Sequence, residues 1–232
     1  MTTYKHLGQN SRVLIIGASG GIGSALTMAL GNICGMQNVV TRSRSGDGLD
    51  ITDEDSILNM VSTLDGSFDL ILIATGALEL NGIGPEKTIL TMTPNALRMQ
   101  FEVNALGPAL LIKHLHAFLP RDKRGVLAVL TARVGSISDN KLGGWISYRT
   151  AKAAVHQIIR TSALEIARKR DQSICVALHP GTVQTDLTQK YTANHPTVLP
   201  QDAAQNILGV IDELMPENTG QFFDWRGYKV DW

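Results

Sequence analysis

The sequence predicts an α/β fold, a doubly wound parallel sheet with helices on both faces. Three observations predict it. Short, wholly apolar runs such as Val13-Leu14-Ile15-Ile16 recur along the chain, as strands buried on both faces require. Helical segments separate these runs, and such alternation makes crossover units rather than hairpins. The first run leads through a glycine-rich bend, Gly17 to Gly23, into a segment of helix formers that reaches Leu30.

In order, residues 13–16 are the first strand and residues 38–41 the second, followed by a turn at Ser45-Gly46-Asp47-Gly48. Leu49-Asp50-Ile51 is a brief third strand. Thr52 caps a helix running to about Leu64, with Asp53, Glu54 and Asp55 in its first turn, where acids suit the dipole. Residues 68–74 are a buried strand, closed by Thr75-Gly76-Ala77, and residues 78–92 a loop. Thr93-Pro94 opens a long helix to about Leu119, with Pro at its first position and a kink expected at Gly107-Pro108. A strand over 125–130, an irregular loop over 131–144 and one helix over 145–170 follow. The strand at 174–178 stops at His179-Pro180-Gly181. The polar segment 182–200 is partly helical at 184–191, and a helix at 202–215 precedes a last strand at 221–223. No repeat, linker or break in composition divides the chain, so residues 1–232 read as one domain.

With 44% hydrophobic and 18% charged residues, the chain is globular rather than disordered. Its 21 basic residues equal its 21 acidic ones, which leaves no basic field for nucleic acid or an anionic membrane. No apolar run suffices to span a bilayer, and residues 1–10 lack a signal-peptide core. Cys34 and Cys175 lack metal-ligand spacing and read as small buried hydrophobes, which fits a reducing, cytoplasmic setting. None of His6, His114, His116, His156, His179 and His195 makes a metal pattern, so no metal is expected.

The glycine bend carries the first functional signal. A strand that turns into a helix N-terminus presents backbone N–H groups without internal partners, and the dipole there favours an anion. The spacing is Gly-x3-Gly-x-Gly, not the Gly-x-Gly-x-x-Gly of the common dinucleotide fingerprint. Gly17 serves the tight turn, Gly21 the approach of backbone to a phosphate, and Gly23 helix-on-strand packing, with Ser19 and Ile22 inside the same bend. The bend alone also fits a turn that holds no ligand.

Tyr148 and Lys152, four apart on a helix, share a face. An ammonium within about 4–6 Å stabilises a phenolate and lowers a phenol pKa from about 10, making the Tyr a general acid or base near neutral pH. Exposed pairs of this kind usually do nothing. A third signal is His179-Pro180-Gly181-Thr182-Val183-Gln184-Thr185, whose backbone can line a pocket beside a flat ring such as nicotinamide.

Taken in sequence order, Gly17–Gly23, Asp50-Ile51, Ala74-Thr75-Gly76, Asn104, Tyr148-x-x-x-Lys152 and Pro180-Gly181 resemble the classical short-chain dehydrogenase/reductase family, over essentially the whole chain. Ala132-Arg133-Val134-Gly135-Ser136-Ile137, Gly143-Gly144-Trp145 and Trp232 are similar to its C-factor and sniffer-like carbonyl reductase branch. The resemblance implies a Rossmann-type sheet of seven parallel strands, order 3-2-1-4-5-6-7, with a nicotinamide dinucleotide over the strand carboxyl ends. It implies that Tyr148 transfers the proton, that Lys152 lowers the Tyr pKa and holds the nicotinamide ribose, and that Asn104 supports a water in the relay. Asp50 and Ile51 would line the adenine, and Ala74 and Gly76 the ribose. Pro180 and Gly181 would flank the coenzyme, and Val183 and Thr185 would meet the carboxamide. A homodimer or homotetramer is implied, paired through the Tyr148 and Asn104 helices.

One position departs from the family. A Ser three residues before a Gly usually holds the substrate carbonyl, but here Ala132 precedes Gly135. Ser136 is expected to take that role, with Thr131 in reserve. Losing one such donor costs about 10²–10³ in rate.

Coenzyme choice rests on Thr41-Arg42-Ser43-Arg44. A carboxylate about 20 residues past the glycines selects NAD, whereas a guanidinium matches a 2′-phosphate. NADP is therefore expected, with NAD as second choice, since the bend itself carries no basic residue. The expected function is hydride transfer between NADP(H) and a small carbonyl or alcohol substrate, which meets residues 78–92, 136–146 and 182–200. The alternative is a dinucleotide-binding signalling or regulatory protein of C-factor type with little turnover. Ala132 favours that alternative, while intact Asn104, Tyr148 and Lys152 favour the enzyme. A sugar-nucleotide epimerase or dehydratase needs an added substrate lobe for which the chain is short.

Overall fold

A computed structural model describes residues 3–186, 188–191 and 196–232. Within the expected pocket segment 182–200, Leu187 and residues 192–195, His195 among them, lie outside the described residues. Strand β1 (Val13–Ile16) is buried at all four positions. It lies between and parallel to β2 (Val39–Arg42) and β3 (Leu70–Ile73). Beyond β3 come β4 (Gly125–Leu130), β5 (Ser173–His179) and β6 (Phe222–Asp224), all parallel, in the order β2-β1-β3-β4-β5-β6. The chain winds outward from β1 in both directions, so a crevice opens at the carboxyl ends of β1 and β3.

The helices are α1 (Gly21–Cys34), α2 (Arg44–Asp47), α3 (Glu54–Ser62), α4 (Pro94–Phe101), α5 (Gly107–Leu115), α6 (Ile146–Ala167) and α7 (Pro200–Glu213). Alternate strand residues feed two cores, one per face. Val13, Ile15, Leu70 and Leu72 pack with α1 and α7, and Leu14, Ile16, Ile71 and Ile73 with α3, α5 and α6. Among the described residues, no helix is long and apolar enough to cross a membrane.

Six strands form the described sheet, not seven: Leu49-Asp50-Ile51 does not pair. The missing element is an edge strand, so the order of the remaining six is as expected. Side chains compete for its backbone. Asp50 N–H donates to Ser56 Oγ at 3.0 Å, and the Asp50 carboxylate takes the Thr52 N–H at 2.9 Å and hydroxyl at 2.7 Å. An Asx turn therefore replaces a ladder. The next helix, α3, is capped by Asp53 rather than Thr52, and the expected turn at 45–48 is helix α2, capped by Ser43.

The long helix starts at Pro94 but is interrupted by a π turn, Glu102–Leu106, before α5. Pro108 has no N–H for the carbonyl of Asn104, so the α ladder cannot run through this point. Segment 184–191 is helical only as a 3-10 turn, Gln189–Tyr191, among its described residues.

Candidate active site

The glycine bend is a cradle made of backbone. Gly17 has a φ of +91°, and a side chain there would meet the Ala74 carbonyl oxygen at 2.7 Å. On Gly23, a Cβ would lie 2.1 Å from the Gly17 carbonyl oxygen, so α1 packs on the bend only with glycine there. Helix α1 begins with no side-chain cap and no acid in its first turn, which leaves its N–H groups and dipole to an outside anion. Ser19, Gly20 and Gly21 are exposed, and Thr185 crosses Gly21 so closely that a Cβ there would meet its methyl at 2.7 Å.

Beside the bend, a cleft of about 760 Å³ opens across the carboxyl ends of the central strands. It gathers Ile22 from α1, Ala74 and Gly76 after β3, Tyr148 and Lys152 from α6, and Pro180, Gly181, Val183 and Thr185 after β5. Asn104 stands behind it, fully buried on the π turn. Its Oδ1 accepts the Ala77 N–H at 3.2 Å, and its Nδ2 donates to the Ala77 carbonyl at 2.8 Å and Gln100 Oε1 at 2.7 Å. A side chain on Gly76 would come within 3.0 Å of Asn104 Oδ1 and 3.3 Å of Lys152 Nζ, so these two groups meet across that glycine.

Tyr148 and Lys152 are both buried, with Lys152 Nζ 5.5 Å from the centre of the Tyr148 ring. Burial, not the neighbouring ammonium, governs both groups. It pushes the phenol above its ordinary pKa and brings the lysine down to about 8. One helical turn further on, His156 Nε2 bonds the Thr131 hydroxyl at 2.9 Å, and burial holds His156 neutral with a pKa lowered to about 3.

The structure does not bring Ser136 to the cleft. A 3-10 turn, Arg133–Gly135, presses Gly135 against Lys152 and His156, and the chain then dives under the loop. There the Ser136 hydroxyl donates to the Asp231 carbonyl at 2.5 Å and accepts the Asp139 N–H at 3.1 Å. Thr131 lines the cleft, but its hydroxyl is engaged by His156, and Ala132 lines the cleft without a donor.

At the far end, Arg42 folds back, donating to the Thr41 carbonyl at 2.8 Å and Thr63 Oγ1 at 2.9 Å. A hollow of about 350 Å³ between the bend and β2 is lined instead by hydroxyls of Ser19, Thr41, Ser43 and Ser45. Asp50 is occupied by its turn, and Ile51 lies against Gly107. Neither lines the cleft or the hollow.

Sequence reasoning missed Glu86. Helix α6 begins at Trp145 in a left-handed conformation (φ +54°) that offers no side-chain cap. Glu86, buried, supplies one from 61 residues away: its Oε2 accepts the Ser147 N–H at 3.2 Å, its Oε1 accepts the Ser147 hydroxyl, and its carbonyl accepts the Trp145 N–H at 2.5 Å. The signal was an absence: Gly143-Gly144-Trp145 leaves the catalytic helix start uncapped, so a carboxylate from elsewhere is required.

A profile of the family described as "short chain dehydrogenase" matches residues 45–196, well over half the chain. The chain is 28% identical over 235 residues to 1-hydroxy-2-glutathionyl-2-methyl-3-butene dehydrogenase of Rhodococcus sp. (strain AD45), covering 96% of this chain and 100% of that one. It is 37% identical over 135 residues to the C-signal of Myxococcus xanthus, covering 57% of this chain and 76% of the relative. Among solved structures, it is similar in fold to carbonyl reductase Sniffer of D. melanogaster, with a TM-score of 0.81, 20% identity, and 96% and 99% coverage. NADPH-bound carbonyl reductase from chicken fatty liver gives a TM-score of 0.81, 21% identity, and 98% and 97% coverage.

Proposed function

The chain belongs to the short-chain dehydrogenase family, and from that premise we propose that it is an NADP(H)-dependent oxidoreductase acting on a carbonyl or alcohol substrate. The observation that carries the proposal is the meeting of Tyr148, Lys152 and Asn104 around Gly76, beside a backbone cradle that excludes side chains. That cradle fits a pyrophosphate, because free N–H groups and a helix dipole are what an anion needs. When bound, the nicotinamide supplies or accepts a hydride. The rest falls to the chain. Tyr148 exchanges a proton with the substrate oxygen, and burial keeps that proton in place at neutral pH, which favours reduction. Lys152 stabilises the phenolate left behind and, with Ala74 and Gly76, holds the ribose. Asn104 anchors the relay through Ala77.

Preference for NADP is supported by the chicken carbonyl reductase, which binds NADPH, and by the hydroxyl-lined hollow at Ser19, Ser43 and Ser45 next to exposed Arg44. Arg42 joins only if it leaves Thr63. The Rhodococcus relative, named for a hydroxylated substrate, supports an alcohol or carbonyl. Pairing of subunits is supported by Phe101 of α4 and Leu164 of α6, large apolar side chains left exposed.

A second reading, a coenzyme-binding regulatory protein with little turnover, is favoured by Ala132 and by the likeness to the C-signal. One assay separates them: NADPH and NADH oxidation with a panel of aldehydes, ketones and quinones. Wild type is expected to turn over and to prefer NADPH, and Tyr148→Phe to lose about 10² or more in kcat while still binding NADPH. Undiminished turnover in Tyr148→Phe overturns the enzyme reading as written.

A further inference from the structure

We propose that the substrate end of this cleft recognises a carboxylate carried by the substrate, and that Arg149 is the residue that binds it. The inference rests on the oxidoreductase reading above and deepens it to a substrate class, carbonyl or alcohol compounds with an apolar body and an anionic tail.

The chain as a whole has no net charge, but the cleft is cationic. Among the described residues, Arg133, Lys141, Arg149 and Lys152 line it against one carboxylate, Asp139. Asp139 is already claimed by Arg133, Nε to Oδ2 2.6 Å, and Arg133 also lies 3.9 Å from Asp224. Lys152 is buried at the phenol. Two positive groups, Lys141 at the lip and Arg149 further in, make no ion pair among the described residues and share only the field of Asp139, whose carboxylate is bonded to Arg133.

Arg149 is built differently from a solvated surface cation. It is half-buried, and its Nε donates to the Gly144 carbonyl at 2.9 Å while Nη1 donates to the Val134 carbonyl at 3.0 Å. Both acceptors are neutral. Among the described residues no carboxylate lies within ion-pair distance of it, and its remaining donors have no partner. Burial lowers its pKa and outweighs the opposing pull of Asp139, the sign of a cation short of solvent. A guanidinium whose geometry is fixed in advance loses little freedom on binding, and its planar donors match a carboxylate. Arg149 and Tyr148 line the same cleft, so a substrate whose anion meets the guanidinium can present its carbonyl to the phenol. Trp145, Tyr191 and Leu142 supply the apolar wall between, the two rings packed edge to face at 5.5 Å.

The rival account is that Arg149 only ties the 134–144 loop to α6. A matched substrate pair decides between them: 4-formylbenzoate and its methyl ester, the same aldehyde with and without the charge. Wild type is expected to show kcat/KM about tenfold or more higher for the acid, the worth of a hydrogen bond to a charged group. Arg149→Gln should bring that ratio near one, Arg149→Lys should keep part of it, and Lys141→Gln, exposed and remote from the fold's core, should lower it about two- to threefold. A scaffold role predicts that Arg149→Gln and Arg149→Lys lower both substrates alike and leave the ratio unmoved. That result, or a wild-type ratio of one, overturns the proposal. The same two compounds titrated against tryptophan fluorescence, which Trp145 reports from the cleft wall, keep the two readings apart. Charge-selective binding that Arg149→Gln abolishes, without turnover of either compound, upholds this inference and removes the oxidoreductase. Equal turnover of both does the reverse.

Discussion

At the Gly17–Gly23 end of the cleft, backbone meets backbone; at the 131–145 end, side chains reach across the fold to hold a loop. In the first region a wrong residue has nowhere to go. The carbonyl 2.1 Å from a Cβ on Gly23 belongs to Gly17, in the bend itself. In the second, Glu86, Ser136 and Arg149 each fix a turn of chain by hydrogen bonds to distant or looping segments. The first design tolerates almost no substitution and binds by shape. The second is adjustable, and it is where Ala132 stands at the position expected to carry a hydroxyl.

The comparison breaks most readily at Gly23. Gly23→Ala is expected to cost about 3 kcal/mol or more, because neither the bend nor α1 can yield. In urea titrations, that is a midpoint well below wild type, with NADPH binding lost. Gly21→Ala meets the Thr185 methyl at 2.7 Å and its Cβ at 3.2 Å, a contact relieved by rotating that side chain and shifting its loop by a few tenths of an ångström. Its cost should stay under about 1 kcal/mol and appear in coenzyme affinity instead. Equal effects at the two glycines would mean that the bend is softer than described.

Lys152 tests the junction of the two regions. Its folded pKa is lowered to about 8 by burial, so folding favours the neutral amine. The unfolded chain holds the extra proton between pH 8 and about 10.5, so this group's contribution to stability rises with pH across that window, and its cost is complete below pH 8. Lys152→Met should therefore abolish most turnover, by about 10² or more, and still raise the melting temperature at pH 7. For a chain of this size each kcal/mol relieved is worth about 2–4 °C. The gain should shrink in melts at pH 9.5. A lower melting temperature at pH 7 would show that the ammonium is well satisfied beside Asn104.

What the sequence reveals follows the same division. The demands of Gly17 and Gly23 are local, so spacing alone exposes them. Tyr148 and Lys152 share a face by helical geometry, and Pro108 forces the break that carries Asn104. The parallel sheet is legible from alternating apolar runs, and its strand order from the family resemblance. The failures share a cause, polar side chains choosing partners that spacing does not encode. Asp50 and Ser56 take the backbone that would have made an edge strand. Arg42 turns to Thr63, brought near only by the packing of α3. Glu86 caps a helix 61 residues away.

Ser136 gives the smallest expected effect on turnover, and the most discriminating one. Its hydroxyl joins the loop to Asp231 and Asp139, and nothing places it at the cleft. Ser136→Ala should cost about 1–2 kcal/mol, since it strips two part-buried hydrogen bonds from a buried hydroxyl, and thermal melts should show that loss. Turnover should stay within about twofold, because losing a true carbonyl donor costs about 10²–10³. The companion change, Ala132→Ser, restores a hydroxyl on the cleft wall and should raise kcat. If Ser136→Ala instead removes turnover without moving the melting temperature, the 133–144 loop must reorganise on substrate binding to present that hydroxyl. The substrate end would then be the more mobile half of the site.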